Sequence, residues 1–240
     1  MFRLEAHDRQ ARLTLDRPEA RNAIPAAGWA ALAARIGEAA ESGARLLVVT
    51  GAGGSFCAGA DLADFAAMRA DPAAIARFRE AMRDALDRLR ALPIPTVALI
   101  EGPCYGAGVA LAMACDLRIA APDAVFAITP AKLGISYPQE DVHRLVGLVG
   151  PGQAARLLLG AQSISAGEAR RIGLVECLQP EGETILAAIL ANAPESLAVL
   201  KQAIVAAAAG VRSDPATDRR FDALIGGDEL ARRLEALRRK

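Results

Sequence analysis

Two short stretches of small residues carry the chemistry-bearing pattern of this chain: Phe56-Cys57-Ala58-Gly59-Ala60-Asp61-Leu62 and Glu101-Gly102-Pro103-Cys104-Tyr105-Gly106-Ala107-Gly108. Side chains this small let a ligand carbonyl approach a backbone N–H. Two such N–H groups aimed at one oxygen form an oxyanion hole, which stabilises an enolate or a tetrahedral oxyanion. Gly106-Ala107-Gly108 lies where a β-rich run gives way to a helical one. A helix N-terminus presents unpaired N–H groups and partial positive charge. Taken alone, that glycine-rich turn reads as a tight strand-to-helix connection. Its pairing with the first stretch gives the functional reading its weight.

Tyr137, Glu140, Asp141 and His143 are the next polar candidates. They follow Thr129-Pro130-Ala131-Lys132-Leu133-Gly134 and open a helical run containing Val142, Leu145 and Val146. Acidic residues in a first turn are favoured by the helix dipole, which accounts for Glu140 and Asp141 without any catalytic role. Tyr137 reads equally as a wall residue whose hydroxyl finds a backbone partner. With two histidines and four cysteines at no metal-ligand spacing, no metal site is expected.

The elements that must position these groups follow from periodicity. Phe2–Ala6 and Ala11–Asp16 read as strands around a polar turn. Arg17–Asn22 is a loop, and Pro25 suits the first turn of a helix ending near Glu41. Arg45–Thr50 and Thr96–Ile100 are buried-strand runs. Asp71-Pro72 opens a helix with apolar residues at Ile75, Phe78, Met82, Ala85, Leu86 and Leu89. The second small-residue stretch leads into a helix over Ala107–Ala114. Short strands are expected at Leu117–Ala121 and Val125–Ile128, and mostly helix after Val142. The recurrence of strand, small-residue loop and helix predicts an α/β spiral of repeated β-β-α turns. A core is expected over 1–190, and a helical C-terminal region over 191–240.

Composition bounds the function. Hydrophobic residues make up 53% and aromatics only 4%, so the core must be aliphatic. The 28 basic and 28 acidic residues balance, which leaves no field to attract nucleic acid or an anionic membrane. Met1–Glu5 carries charges within any would-be apolar region, and no uninterrupted apolar stretch is of bilayer length. Reduced, buried cysteines fit a cytoplasmic setting.

The two stretches, their order and their flanks resemble the enoyl-CoA hydratase/isomerase (crotonase) superfamily. Leu15–Ala23 resembles its entry loop, and Phe56–Leu62 its first oxyanion segment. Gly102–Asp116 resembles the second, and Gly167–Val175 a later helix-and-turn segment. The resemblance implies an acyl-CoA thioester ligand whose carbonyl accepts from Ala60 and Ala107. It places Arg21 against the CoA phosphates, and Ala58, Asp61 and Leu62 near the adenine. Asp61 reads equally as a helix cap, and Arg21 as a solvated loop residue. Arg232-Arg233 and Arg238-Arg239-Lys240 read best as a solvated basic helix end. Coenzyme A enters with the substrate, so no separate cofactor is implied. A homotrimer or dimer of trimers is.

The match breaks at the chemistry. Hydratases of this superfamily use two glutamates, and the matching positions here are Ala110 and Pro130. Neither residue moves a proton. Thr129–Tyr137 is instead similar to the corresponding segment of methylmalonyl-CoA decarboxylases, including Thr-Pro and the tyrosine. Decarboxylation needs no base, because the departing bond supplies the electrons and an oxyanion hole receives them. Tyr137 would then quench the enolate. Two alternatives stand beside this lyase reading. One is a hydratase or isomerase using Glu140 or Asp141. The other is a non-catalytic acyl-CoA-binding subunit.

Overall fold

The structure is a computed structural model that describes residues 1–239. Its first elements are a hairpin of β1 (Phe2–His7) and β2 (Gln10–Leu15), then α1 (Gly28–Glu41) and β3 (Leu46–Gly51). Two helices follow, α2 (Leu62–Met68) and α3 (Pro72–Ala91). Next come β4 (Thr96–Ile100), β5 (Pro103–Tyr105), α4 (Ala107–Ala114), β6 (Leu117–Ala120) and β7 (Val125–Ala127). A kinked α5 (Gln139–Gly160), β8 (Ile164–Ser165), α6 (Ala166–Arg171) and β9 (Cys177–Leu178) complete the spiral. The chain ends in α7 (Glu181–Ala191), α8 (Pro194–Ala208), α9 (Pro215–Ile225) and α10 (Asp228–Arg238).

The six-stranded sheet runs β1-β2-β3-β4-β6-β9, parallel throughout except for the first hairpin. Its central strands are continuous apolar runs because both faces are covered. Leu47, Val49, Ala98 and Ile100 point toward α1, α3 and α4 in the main core. Leu46, Val48, Val97 and Ile119 point the other way, onto Ile185, Leu186 and Ile189 of α7. The turns β4-β5-α4 and β6-β7-α5 each contribute one strand to this sheet and one to a smaller sheet, β5-β7-β8. α4 starts directly after β5.

Local sequence sets the helices that frame the site. Asp71 caps α3 by accepting from the Ala73 and Ala74 N–H groups at 2.9 and 3.0 Å, with Pro72 at the first helical position. Met82, Ala85, Leu86 and Leu89 form the buried stripe of α3 at helical spacing. In α4 every residue from Gly108 to Ala114 is buried, so this helix runs through the core rather than over it.

Several boundaries differ from the sequence expectation. α1 begins at Gly28, not Pro25, because Ile24 pairs with Ala60 and the Ala26 N–H is taken by Asp64 Oδ2 at 2.6 Å. β5, β8 and β9 are strands of two or three residues, too short for any periodicity to register. α5 breaks at Gly150, whose φ of +74° precedes Pro151. Among the described residues no single helix is long and apolar enough to cross a membrane; α7 and α8 are apolar together but meet at 115°.

Candidate active site

The first small-residue stretch is held on both sides by main chain. On one side lies the entry loop. Ala58 N–H donates to Arg21 O at 2.9 Å, Ile24 N–H to Gly59 O at 2.8 Å, and Asp61 N–H to Ile24 O at 3.0 Å. The loop is itself clamped by buried Asn22. Its Oδ1 accepts from Arg17 N–H at 2.9 Å, and its Nδ2 donates to Ala52 O and Ser55 O at 2.9 and 2.7 Å. Asn22 and Arg21 both adopt positive φ, +57° and +48°. Asparagine is enriched in that region, whereas the arginine is held there by its neighbours' hydrogen bonds.

On the other side lies the second stretch. Cys57 N–H donates to Pro103 O at 3.1 Å, and Tyr105 N–H returns to Cys57 O at 2.8 Å. This approach requires glycine. A Cβ on Gly59 would stand 2.8 Å from Tyr105 O and 3.2 Å from Ala107 N, and its φ is +102°. A Cβ on Gly108 would stand 2.4 Å from Cys57 O. The Ala107 nitrogen therefore lies close beside the turn at Gly59, whose next peptide unit carries the Ala60 N–H. Among the described residues, neither the Ala60 nor the Ala107 N–H donates a hydrogen bond. Two unpaired donors on stretches zipped together through Cys57 can stabilise negative charge on an oxygen placed between them. The thiol itself is no rival nucleophile, since burial pushes Cys57 up to about 12 and leaves it protonated.

Asp61 caps α2, accepting from Ala63 N–H at 3.1 Å through Oδ1. Its other oxygen accepts from Arg17 Nη1 at 2.6 Å. The Arg17 guanidinium, helped by the cap, holds the Asp61 carboxyl below the usual range. Sequence reasoning anticipated the cap and missed Arg17, which lies 44 residues away. Leu62 is 56% exposed at the start of α2. Arg21 is exposed, and among the described residues it forms no ion pair. The basic residues of α10 are tied up locally, Arg232 and Arg233 with Glu229 and Arg239 with Glu235. Lys240 lies outside the described residues.

Ala110 and Pro130, which the resemblance matches to the hydratase glutamates, lie respectively fully buried in α4 and half-buried in a short 3-10 turn. The three acid/base candidates occupy different surroundings. Tyr137 packs against the main core, and its hydroxyl donates to Gly106 O at 3.0 Å. Burial and then nearby Asp141 push the Tyr137 phenol well above its ordinary value. Glu140 is exposed beside a 320 Å³ cavity between α3 and the start of α5, 3.9 Å from Arg83. The Asp141 side chain is 0% exposed. Its Oδ1 lies 3.2 Å from Arg83 and 3.4 Å from Arg144, and its Oδ2 has no partner among the described residues. Burial raises its carboxyl despite the two arginines. Arg83 and Arg144 were not legible from spacing, since α3 and α5 meet only in the fold.

Two main-chain N–H groups left without acceptors on adjoining stretches, among the described residues, make this the candidate site. The sequence matches the enoyl-CoA hydratase/isomerase family over residues 6–223. The fold agrees: an enoyl-CoA hydratase/carnithine racemase from Magnetospirillum magneticum superposes with a TM-score of 0.93 at 27% identity, over 99% of this chain and 92% of that one. The chain belongs to the enoyl-CoA hydratase/isomerase family, with the crotonase fold. Among curated relatives, the Mycobacterium tuberculosis protein named "Probable enoyl-CoA hydratase echA6" is 40% identical over 67% of this chain. The match spans 66% of that relative's own length. The Danio rerio ethylmalonyl-CoA decarboxylase is 34% identical over 72% of this chain and 59% of its own.

Proposed function

We propose that this enzyme binds an acyl-CoA thioester with its carbonyl oxygen between the Ala60 and Ala107 N–H groups, and that it decarboxylates a malonyl-type thioester. The observation that carries the reading is the pair of unpartnered amides on two interlocked stretches, with alanine and proline in place of the hydratase glutamates. In the reaction the bond between Cα and the carboxylate breaks. Its electron pair forms the enolate, whose oxygen is held by the two amides, and CO2 departs. A proton then returns to Cα. Geometry favours water as its source, because the Tyr137 proton is engaged with Gly106 O, and Asp141 is wholly buried against two arginines. The likeness to a decarboxylase of the same family supports the reading.

The CoA end is read from the same frame. Among the described residues the Ala58 C=O and the Leu62 N–H are both unpaired. An acceptor and a donor so placed suit the amino group and a ring nitrogen of adenine, with the exposed Leu62 side chain against its face. Arg21, with no ion pair among the described residues, is a cation for the phosphates. Asp61 acts behind them, fixing the start of α2 through Arg17 and Ala63. We also propose a homotrimer or dimer of trimers built on the helical region 191–240, acting in the cytoplasm.

A second reading has its own observation. Asp141 combines a raised pKa with an unpartnered Oδ2, as suits a proton carrier in an enoyl-CoA isomerase or hydratase. Incubation with malonyl-, methylmalonyl- and crotonyl-CoA, followed by mass spectrometry, separates the readings. Loss of CO2 from a malonyl-type thioester is the expected result. Rapid hydration of crotonyl-CoA that Asp141→Asn abolishes would replace it with the second reading. Tight thioester binding with no turnover on any of the three would make the chain a binding subunit.

A further inference from the structure

The Tyr137 hydroxyl and the Ala107 N–H sit at opposite ends of one peptide unit. Tyr137 Oη donates to Gly106 O, and Gly106 C=O and Ala107 N–H belong to the same amide. That amide is trans, so its C=O and N–H point in opposite directions. Whatever fixes the carbonyl therefore aims the N–H. The amide needs fixing, because Gly106 adopts φ +50° and ψ −117°, a region open to glycine and to little else.

Gly106 N–H is pinned to Ala127 O at 2.9 Å, which holds the preceding peptide. On the far side, Gly106 O accepts from Val109 N–H at 2.9 Å and Ala110 N–H at 3.2 Å. Both bonds come from α4 itself. The third donor, Tyr137, comes from the segment before α5 and is packed against the core. Among the described residues it is the one side chain that bonds this peptide.

We propose that Tyr137 is a positioning residue, which sets the direction and the donor strength of the Ala107 N–H through its hydrogen bond to Gly106 O. This rests on the oxyanion reading of Ala60 and Ala107, and it gives Tyr137 a task other than proton transfer. Hydrogen bonding at an amide oxygen polarises the amide and strengthens its N–H as a donor. Cooperative strengthening of about 10–30% per bond, applied to a donor worth about 100- to 1,000-fold in rate, makes Tyr137 worth roughly two- to eightfold. Direct proton donation would be worth about 100- to 10,000-fold.

The test reads the polarisation itself. Butanoyl-CoA labelled with 13C at the thioester carbonyl is bound to the full-length protein, and its carbonyl stretch is recorded by difference infrared spectroscopy. The wild-type protein should move the stretch to lower frequency. Tyr137→Phe should lessen that shift and lower kcat roughly two- to eightfold, with thioester Kd raised by no more than that factor. A second measurement runs the opposite way and keeps the hydroxyl. In a Tyr105→Phe background Tyr137 is the sole tyrosine. Replacing it with 3-fluorotyrosine, a stronger donor, should enlarge the shift. An unchanged shift in both variants overturns the positioning role, as does a loss of turnover beyond about 100-fold in Tyr137→Phe with the shift intact. If the bound carbonyl is not shifted even by the wild-type protein, the oxyanion reading itself falls, and this inference with it.

Discussion

Gly59 leaves space beside Ala107 N, one of the two proposed donors, that a side chain would fill. A methyl group there would press on Tyr105 O and Ala107 N, at a φ that disfavours alanine. Gly59→Ala should lower turnover by about 100- to 1,000-fold, the usual effect of losing one oxyanion donor. Steady-state kinetics on the best thioester checks this, with circular dichroism to confirm folding. Asp61 supplies a prediction in pH. Its carboxyl is held below the ordinary value by Arg17 and the α2 cap, so its contribution to stability is present above about pH 4, its unfolded value. As pH falls through the lower folded value the contribution is lost. Thermal melts across acid pH should show Asp61→Asn losing stability near neutrality while its deficit shrinks in acid.

At the scale of elements, α3 and α5 are joined by a buried charge cluster rather than by apolar contact alone. Arg144 is 9% exposed and shares Asp141 with Arg83, while its other hydrogen bond reaches Asp87 at 2.8 Å. Removing one partner from a buried pair leaves an uncompensated charge and typically costs about 3–5 kcal/mol. Arg144→Met should therefore destabilise the protein by about that amount, less whatever Arg83 recovers, as read by urea unfolding. The same elements show what the sequence could disclose. β4 and α4 fall where apolar runs and flanking prolines and glycines placed them, Thr96–Ile100 and Ala107–Ala114. Their signals are local. The Tyr137 bond to Gly106 spans 31 residues, and the Arg83 contact with Asp141 spans 58. Such contacts leave no period in the chain. β8 and β9 were illegible for another reason: strands of two residues form because a neighbouring strand offers an edge, not because their own residues favour extension.

At the scale of the molecule, the C-terminal helices remain apolar where they face outward. Leu200, Ile204, Phe221, Ile225, Leu234 and Leu237 are between 47% and 68% exposed. Only Lys201 of α8 is buried, reaching Ile94 O at 2.9 Å and Asp116 at 2.8 Å. Exposed apolar surface of this kind marks an interaction face, and the proposed trimer would cover it. Sedimentation velocity should find a species of three chains or six. Phe221→Glu with Ile225→Glu should shift it toward one chain while leaving the circular dichroism of the spiral core in place. A single-chain wild-type species would remove the assembly proposal. The donors of the candidate site are main-chain amides, and this bears on how such a protein can change its trade over generations. A codon change elsewhere can redraw the acyl pocket or swap one proton carrier for another. Among codon changes at Ala60 or Ala107 only proline removes the N–H itself, and elsewhere added bulk at Gly59 or Gly108 would crowd it. On the proposed reading, the reaction can be exchanged through side chains while the grip on the thioester oxygen stays with the main chain. Reagents that modify side chains should, by the same logic, find little at that grip to attack.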